Sequence, residues 1–67
     1  MQIDRVKLIT EMARRNLKVK EIAELAGLSR FTVTAVRGGR PCSEYTALNI
    51  ARALGVDVTE IIEEVKQ

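Results

Sequence analysis

Residues 18–39, KVKEIAELAGLSRFTVTAVRGG, constrain the fold of this 67-residue chain more than any other stretch. They read as a short helical pattern, a tight turn at Gly27, and a second helix of about eight residues. Gly27 enters a left-handed backbone without strain and so stops the first of these helices. Ser29 offers a side-chain oxygen to the free amides that open the second, which ends near Arg37 before Gly38 and Gly39. Two helices joined in this way, the second polar on its outward side, form the arrangement that fits a helix into the major groove of DNA.

The rest of the chain continues in helical periods. A first helix is expected over residues 3–16, with Val6, Ile9 and Ala13 recurring at helical spacing and Leu8 and Met12 widening the apolar stripe. Arg14 and Arg15 complement the dipole at its end. In the second helix, over residues 19–26, Ile22, Leu25 and Ala26 are expected to turn inward. Ser43 can cap a fourth helix running to Leu54, with Ala47, Ile50, Ala51 and Leu54 as its inner stripe and Gly55 as its stop. Asp57, with Glu60 three residues on, resembles a capping box for a fifth helix, in which Val58, Ile61, Ile62 and Val65 repeat the spacing. The spacing predicts an all-α chain, one domain over residues 1–67.

Composition agrees and excludes several classes. The chain is 46% hydrophobic, yet Phe31 and Tyr45 are its aromatics, so Leu, Ile, Val, Ala and Met must build the core. That suits close helix packing better than a β-sandwich. The chain has no His, and Cys42 is its single cysteine. A disulfide within the chain, a cysteine-based metal site and a nucleophile–base pair therefore have no candidates, and an enzyme is not expected. The first ten residues carry Asp4 and no apolar run, unlike a signal peptide, and no stretch approaches the length needed to cross a bilayer. A cytoplasmic protein is expected.

Charge is unevenly spread. Residues 1–40 hold nine Lys/Arg against four Asp/Glu, while residues 41–67 hold two against five. The basic half points to a polyanion partner on one face, though a solvated surface with chance clustering would look alike.

At 100° per residue, Val33 and Val36 fall on one side of the third helix, beside Leu28 at the turn, and must face the core. Arg30, Phe31, Thr34 and Ala35 then lie on the opposite side. Arg can bond bidentately to guanine, Thr can hydrogen-bond or touch a methyl group, and Ala35 and Phe31 can pack on thymine methyls. The alternative for Phe31 is to fold back onto the second helix as extra core, but its position beside Arg30 favours groove or partner contact. Phosphate contacts are expected from the backbone amides of Val19 and Lys20 at the start of the second helix, where the dipole is positive. The charges of Lys18, Lys20, Arg37 and Arg40 would add to them, with Gly38 and Gly39 bringing backbone close to a strand. Such contacts set register and carry no base information.

On Glu21–Ile22–Ala23, Ala26–Gly27–Leu28–Ser29–Arg30, Thr32–Val33, Gly39, Pro41–Cys42–Ser43 and Ala51–Arg52–Ala53–Leu54–Gly55–Val56, the chain resembles the Cro/phage-repressor (XRE) helix-turn-helix family. The likeness covers residues 5–64, with the helix-turn-helix at about residues 19–37. It implies a compact five-helix, lambda-repressor-like DNA-binding domain whose third helix enters the major groove, as a symmetric pair on a two-fold operator. The family's base-reading positions fall on Arg30, Phe31 and Ala35, with Thr32 and Thr34 nearby. Its phosphate positions fall on the start of the second helix and on the loop from Gly38 to Ser43, and Thr32 is assigned to that set. Family members often have Thr or Ser and then Gln where Lys18 and Val19 stand, so that contact reduces to backbone and Lys charge. Many also pair an Arg on the first helix with a Glu ending the third. Met12 and Arg37 occupy those places, which predicts an apolar Met12 and an Arg37 released toward solvent or DNA.

The expected function is a sequence-specific regulator of double-stranded DNA, a repressor of a phage, mobile element or bacterial operon, working as a homodimer at least on DNA. Its last helix, residues 58–65, would be either a pairing surface or more core. Neither a cofactor, a metal, a membrane nor a small-molecule ligand is expected. The alternative is a protein-interaction module on the same fold, an antitoxin or anti-repressor, with Phe31 and the acidic Glu60, Glu63 and Glu64 as its interface.

Overall fold

Each helix begins at a residue whose side chain or neighbour satisfies the free amides of its first turn. In the computed structural model, which describes residues 1–63, Asp4 caps α1 (Arg5–Arg14) by accepting from the Lys7 amide at 3.1 Å. Helix α2 (Val19–Ala26) opens at Lys18, whose amide donates to the Glu21 carboxylate at 2.8 Å. Ser29 caps α3 (Arg30–Arg37), and Ser43 caps α4 (Glu44–Leu54). Gly27 and Gly55 end α2 and α4 in the left-handed region, at φ +69° and +75°.

The core is a single cluster of Ile, Leu, Val, Met and Ala side chains, with Ile3, Leu8, Ile22, Val33, Ile50 and Ile61 its largest fully enclosed members. Helix α2 packs most extensively on α4 and next on α3. Ala23 and Ala26 on α2, with Ala47 and Ala51 on α4, are all buried and let these helices approach closely. The four α4 residues expected inside are inside.

Two stripes sit differently from expectation. On α1 the buried residues are Leu8 and Met12, whereas Val6 is 74% exposed, Ile9 43%, and Ala13 is exposed too. Both sets recur at helical spacing, and α1 turns the Leu8–Met12 side into the core. On α2, Leu25 points outward at 63% exposure and the small Ala23 takes the inner position, because a leucine would hold α2 away from α4.

The chain's two ends also depart from a helical reading. Ile3 is not helical: it forms an antiparallel bridge with Ile62, flanked by Asp4 N–H to the Ile61 carbonyl at 2.8 Å and Glu63 N–H to the Gln2 carbonyl at 3.0 Å. Helix α1 stops at Arg14, and Asn16 takes φ +54° in the turn that follows. The expected fifth helix is a single 3₁₀ turn, Val58–Glu60. Asp57 caps it by accepting from the Thr59 amide and hydroxyl, which holds its carboxyl below the usual range. Val58, Thr59, Ile61 and Ile62 are β-branched and pair more readily as extended chain than they wind into helix. Ile61 is fully buried, and Val65 and Glu64 lie outside the described residues. The described residues form an all-helical domain of four α-helices, apart from that one bridge.

Candidate nucleic-acid interface

Helix α3 is seated by Val33 and Val36, at 0% and 2% exposure, and held at both ends by short-range hydrogen bonds. At its start the Ser29 hydroxyl accepts from the Thr32 amide at 3.0 Å and lies 2.8 Å from the Thr32 hydroxyl. Before it, the Leu28 amide reaches back to the Ala23 carbonyl at 2.9 Å, which the left-handed Gly27 makes possible. Ser29→Ala should therefore cost about 1 kcal/mol, lowering the melting temperature by roughly 4–8 °C in a domain this size. Thermal unfolding followed by circular dichroism measures it, and an unchanged melting temperature would show the cap to be idle.

The opposite side of α3 faces outward. Arg30 and Thr34 are exposed, Ala35 is half-buried, and Phe31 stands 78% in solvent rather than folding back onto α2. No side-chain hydrogen bond or ion pair holds Arg30 or Thr34 among the described residues. Their donors and acceptors are open along one strip of helix surface. The strip combines a fork of cationic donors, a hydroxyl, a methyl and an aromatic face.

The phosphate candidates differ among themselves. Lys18, Lys20, Arg37 and Arg40 are exposed cations around the two ends of the helix-turn-helix, and none of their side chains is paired among the described residues. Val19 is half-buried against the core, so its contribution is limited to its backbone amide. The Glu21 carboxylate, which the sequence did not single out, occupies the mouth of α2 on the Lys18 amide. A carboxylate in that place would oppose any anion approaching the same end of the helix.

Four other candidates have spent the groups a phosphate would use. The Gly38 and Gly39 amides donate to the Thr34 and Val36 carbonyls at 2.9 and 3.0 Å. The Ser43 hydroxyl donates to Thr46 Oγ1 at 3.1 Å, and the Thr32 hydroxyl is engaged with Ser29. Gly39 is still needed for its conformation: at φ +104° a Cβ would also meet the Arg5 side chain at 3.0 Å. The loop it begins is pinned from outside. Gln2 Nε2 donates to the Gly39 carbonyl at 2.7 Å, and the Cys42 amide donates to the Met1 carbonyl at 2.8 Å.

Met12 is buried at 5% exposure and Arg37 is exposed, as the paired departure from the family pattern implied. Arg37 and Lys18 stand on the rim of a groove of about 400 Å³ whose other lining residues are Ile9, Met12, Ala13, Leu17 and Val19. Cys42 is half-buried, and burial pushes its thiol up, away from the thiolate a nucleophile needs. Among the described residues no three His, Cys, Asp or Glu gather as metal ligands, and no helix is long and apolar enough to cross a membrane.

Comparison with known proteins bears on the family and the fold. The family model described as "Cro/C1-type HTH DNA-binding domain" matches residues 7–67. No curated protein sequence matches. The restriction-modification controller protein C.AhdI from Aeromonas hydrophila is 30% identical, with a TM-score of 0.77 over 84% of this chain and 86% of that one. A hydroxyethylphosphonate dioxygenase variant gives 27% identity and a TM-score of 0.85, and PhpD with cadmium gives 25% and 0.82. Each covers all of this chain, which spans only 15% of either enzyme.

Proposed function

The chain belongs to the Cro/C1-type HTH DNA-binding domain family, and from that premise we propose that it is a sequence-specific transcriptional regulator that reads the major groove with α3. Arg30 reads a guanine edge, Thr34 and Ala35 meet the neighbouring base pair, and Phe31 packs on thymine methyls. Lys18, Lys20, Arg37 and Arg40 neutralise the flanking phosphates, with the Val19 amide beside them. The observation that supports this most is the contrast within one helix: two enclosed valines beneath, and an unpaired Arg30 and Thr34 above.

One helix of this length reads only a few base pairs, so selectivity requires two copies on a two-fold operator. Bound there, the protein represses by occluding polymerase at a phage, mobile-element or bacterial operon. The likeness to a restriction-modification controller supports a regulatory role, and the whole of residues 1–67 is taken as one such domain.

A band-shift titration against promoter DNA beside the gene, with random duplex as competitor, tests this. The wild type should prefer one promoter duplex, and Arg30→Ala should lose about 10- to 100-fold of that preference, in line with one bidentate base contact per half-site. Equal binding of both proteins to random and promoter DNA would defeat the claim of sequence reading.

A further inference from the structure

Gln2 and Arg5 both touch the loop that leaves α3, although neither belongs to the helix-turn-helix. Gln2 Nε2 donates to the Gly39 carbonyl at 2.7 Å, across 37 positions of sequence. The Cys42 amide donates to the Met1 carbonyl at 2.8 Å, and the Arg40 amide to the Ala35 carbonyl at 3.0 Å. Pro41 restricts the backbone of Arg40 further. The chain on each side of Arg40 is therefore held, while its side chain is exposed.

Arg5 lies against the same loop. A Cβ on Gly39 would stand 3.0 Å from Arg5 Cδ and 3.6 Å from its Cγ. The Arg5 stem thus rests beside Gly39, the residue before Arg40, where a larger side chain would crowd it. Arg5 opens α1, where a cation works against the helix dipole, and the Asp4 carboxylate beside it accepts from the Lys7 amide. Arg5 is exposed and makes no ion pair or side-chain hydrogen bond among the described residues, and the same holds for Arg40. Two cationic side chains meet at one glycine with no carboxylate paired to either. Their repulsion is relieved by an anion placed between them.

We propose that Arg5 and Arg40 hold one DNA phosphate between them, and that Gln2 positions the loop for that grip. Guanidinium forks match the free oxygens of a phosphodiester, and a loop ordered beforehand loses less freedom on binding. The chain then reaches the DNA backbone from α1 as well as from the helix-turn-helix. Because Arg5 shares the phosphate of Arg40, it strengthens that contact without adding another phosphate. This inference rests on the DNA-binding reading.

Promoter duplexes carrying one uncharged methylphosphonate linkage at a time locate the contact, with affinity read by fluorescence anisotropy. Wild type should lose about tenfold or more at each contacted linkage, the scale of a hydrogen bond to a charged group. Arg5→Ala and Arg40→Ala should each bind the unmodified duplex about tenfold more weakly. Both should show a smaller penalty at the same linkage, with the penalties elsewhere unchanged, and the double variant should be indifferent to that linkage. Gln2→Ala should shrink the penalty there too, and should add less than about twofold to the loss in Arg40→Ala. Gln2→Met, as long but without an N–H, gives the same readings if Gln2→Ala melts early.

An Arg5→Ala of wild-type affinity, or penalties that shrink at different linkages in Arg5→Ala and Arg40→Ala, would overturn the shared grip. A loss spread evenly over all linkages in the Gln2 variants would overturn the positioning role. Wild type that binds no duplex would overturn the function proposed above. Wild type that binds while Arg5→Ala changes nothing would overturn this inference alone.

Discussion

Raising the salt from about 50 to 200 mM should weaken DNA binding by roughly four orders of magnitude. Lys18, Lys20, Arg37 and Arg40 are exposed and unpaired among the described residues, and two copies bring twice that number to one operator. Each neutralised phosphate releases a counterion, so about eight contacts give a slope near −7 in log affinity against log salt. Replacing Lys20 and Arg40 by alanine should reduce that slope to about half. Replacing Arg30, whose proposed contact is with a base edge, should lower affinity while changing the slope by no more than about two contacts' worth. Fluorescence anisotropy with a labelled duplex at several salt concentrations measures all three. A wild-type slope shallower than about −2 would mean that these cations do not meet the backbone.

The second large effect concerns the scaffold. Ile50 is fully enclosed in α4, on the helix that α2 packs against most. Ile50→Ala should cost about 2–5 kcal/mol, the removed methylenes plus the cavity they leave. A chain of this size has a total stability of roughly 3–10 kcal/mol, so the variant should be largely unfolded at body temperature or close to it. Urea denaturation followed by circular dichroism measures the loss, and a cost under about 1 kcal/mol would show that the core closes around the gap. DNA binding should fall with the folded fraction. That distinguishes this variant from a change at Arg30, which leaves stability intact.

The turns of this protein are legible in its sequence because single residues decide them. Gly27 and Gly55 are placed by the need for a left-handed backbone, and Ser29 and Ser43 by the need for a side-chain acceptor at a helix start. The seat of α3 is legible too, since Val33 and Val36 are the apolar residues on their side. Helix α1 is different. It offers two apolar stripes of equal periodicity, Val6–Ile9–Ala13 and Leu8–Met12, and which one is buried depends on how the whole core assembles against it. Leu25 and Ala23 show the same limit: size suggests that the leucine is inside, but the closeness of α2 and α4 requires the alanine.

The end of the chain is misread for another reason. Asp57 and Glu60 supply a capping pattern, but Ile62 finds its backbone partner at Ile3, almost the whole chain length away. Local signals cannot see that pairing. At the interface, residue types locate the strip of Arg30, Phe31, Thr34 and Ala35. They do not reveal which polar groups are already satisfied. The hydroxyls of Thr32 and Ser43 and the amides of Gly38 and Gly39 are engaged within the chain, and Glu21 sits at the mouth of α2. The proposed phosphate contacts therefore narrow to the four exposed cations and the Val19 amide.

Helix α3 is proposed to read bases through Arg30 while resting on Val33 and Val36. Selection of binding sites from a pool of random duplexes, run in parallel with wild type and Arg30→Ala, tests it most directly. The wild type should yield a two-fold-related motif, with a guanine in each half-site that loses its preference in Arg30→Ala while the remaining positions persist. An identical motif from both proteins, or no enriched motif from the wild type, would contradict it.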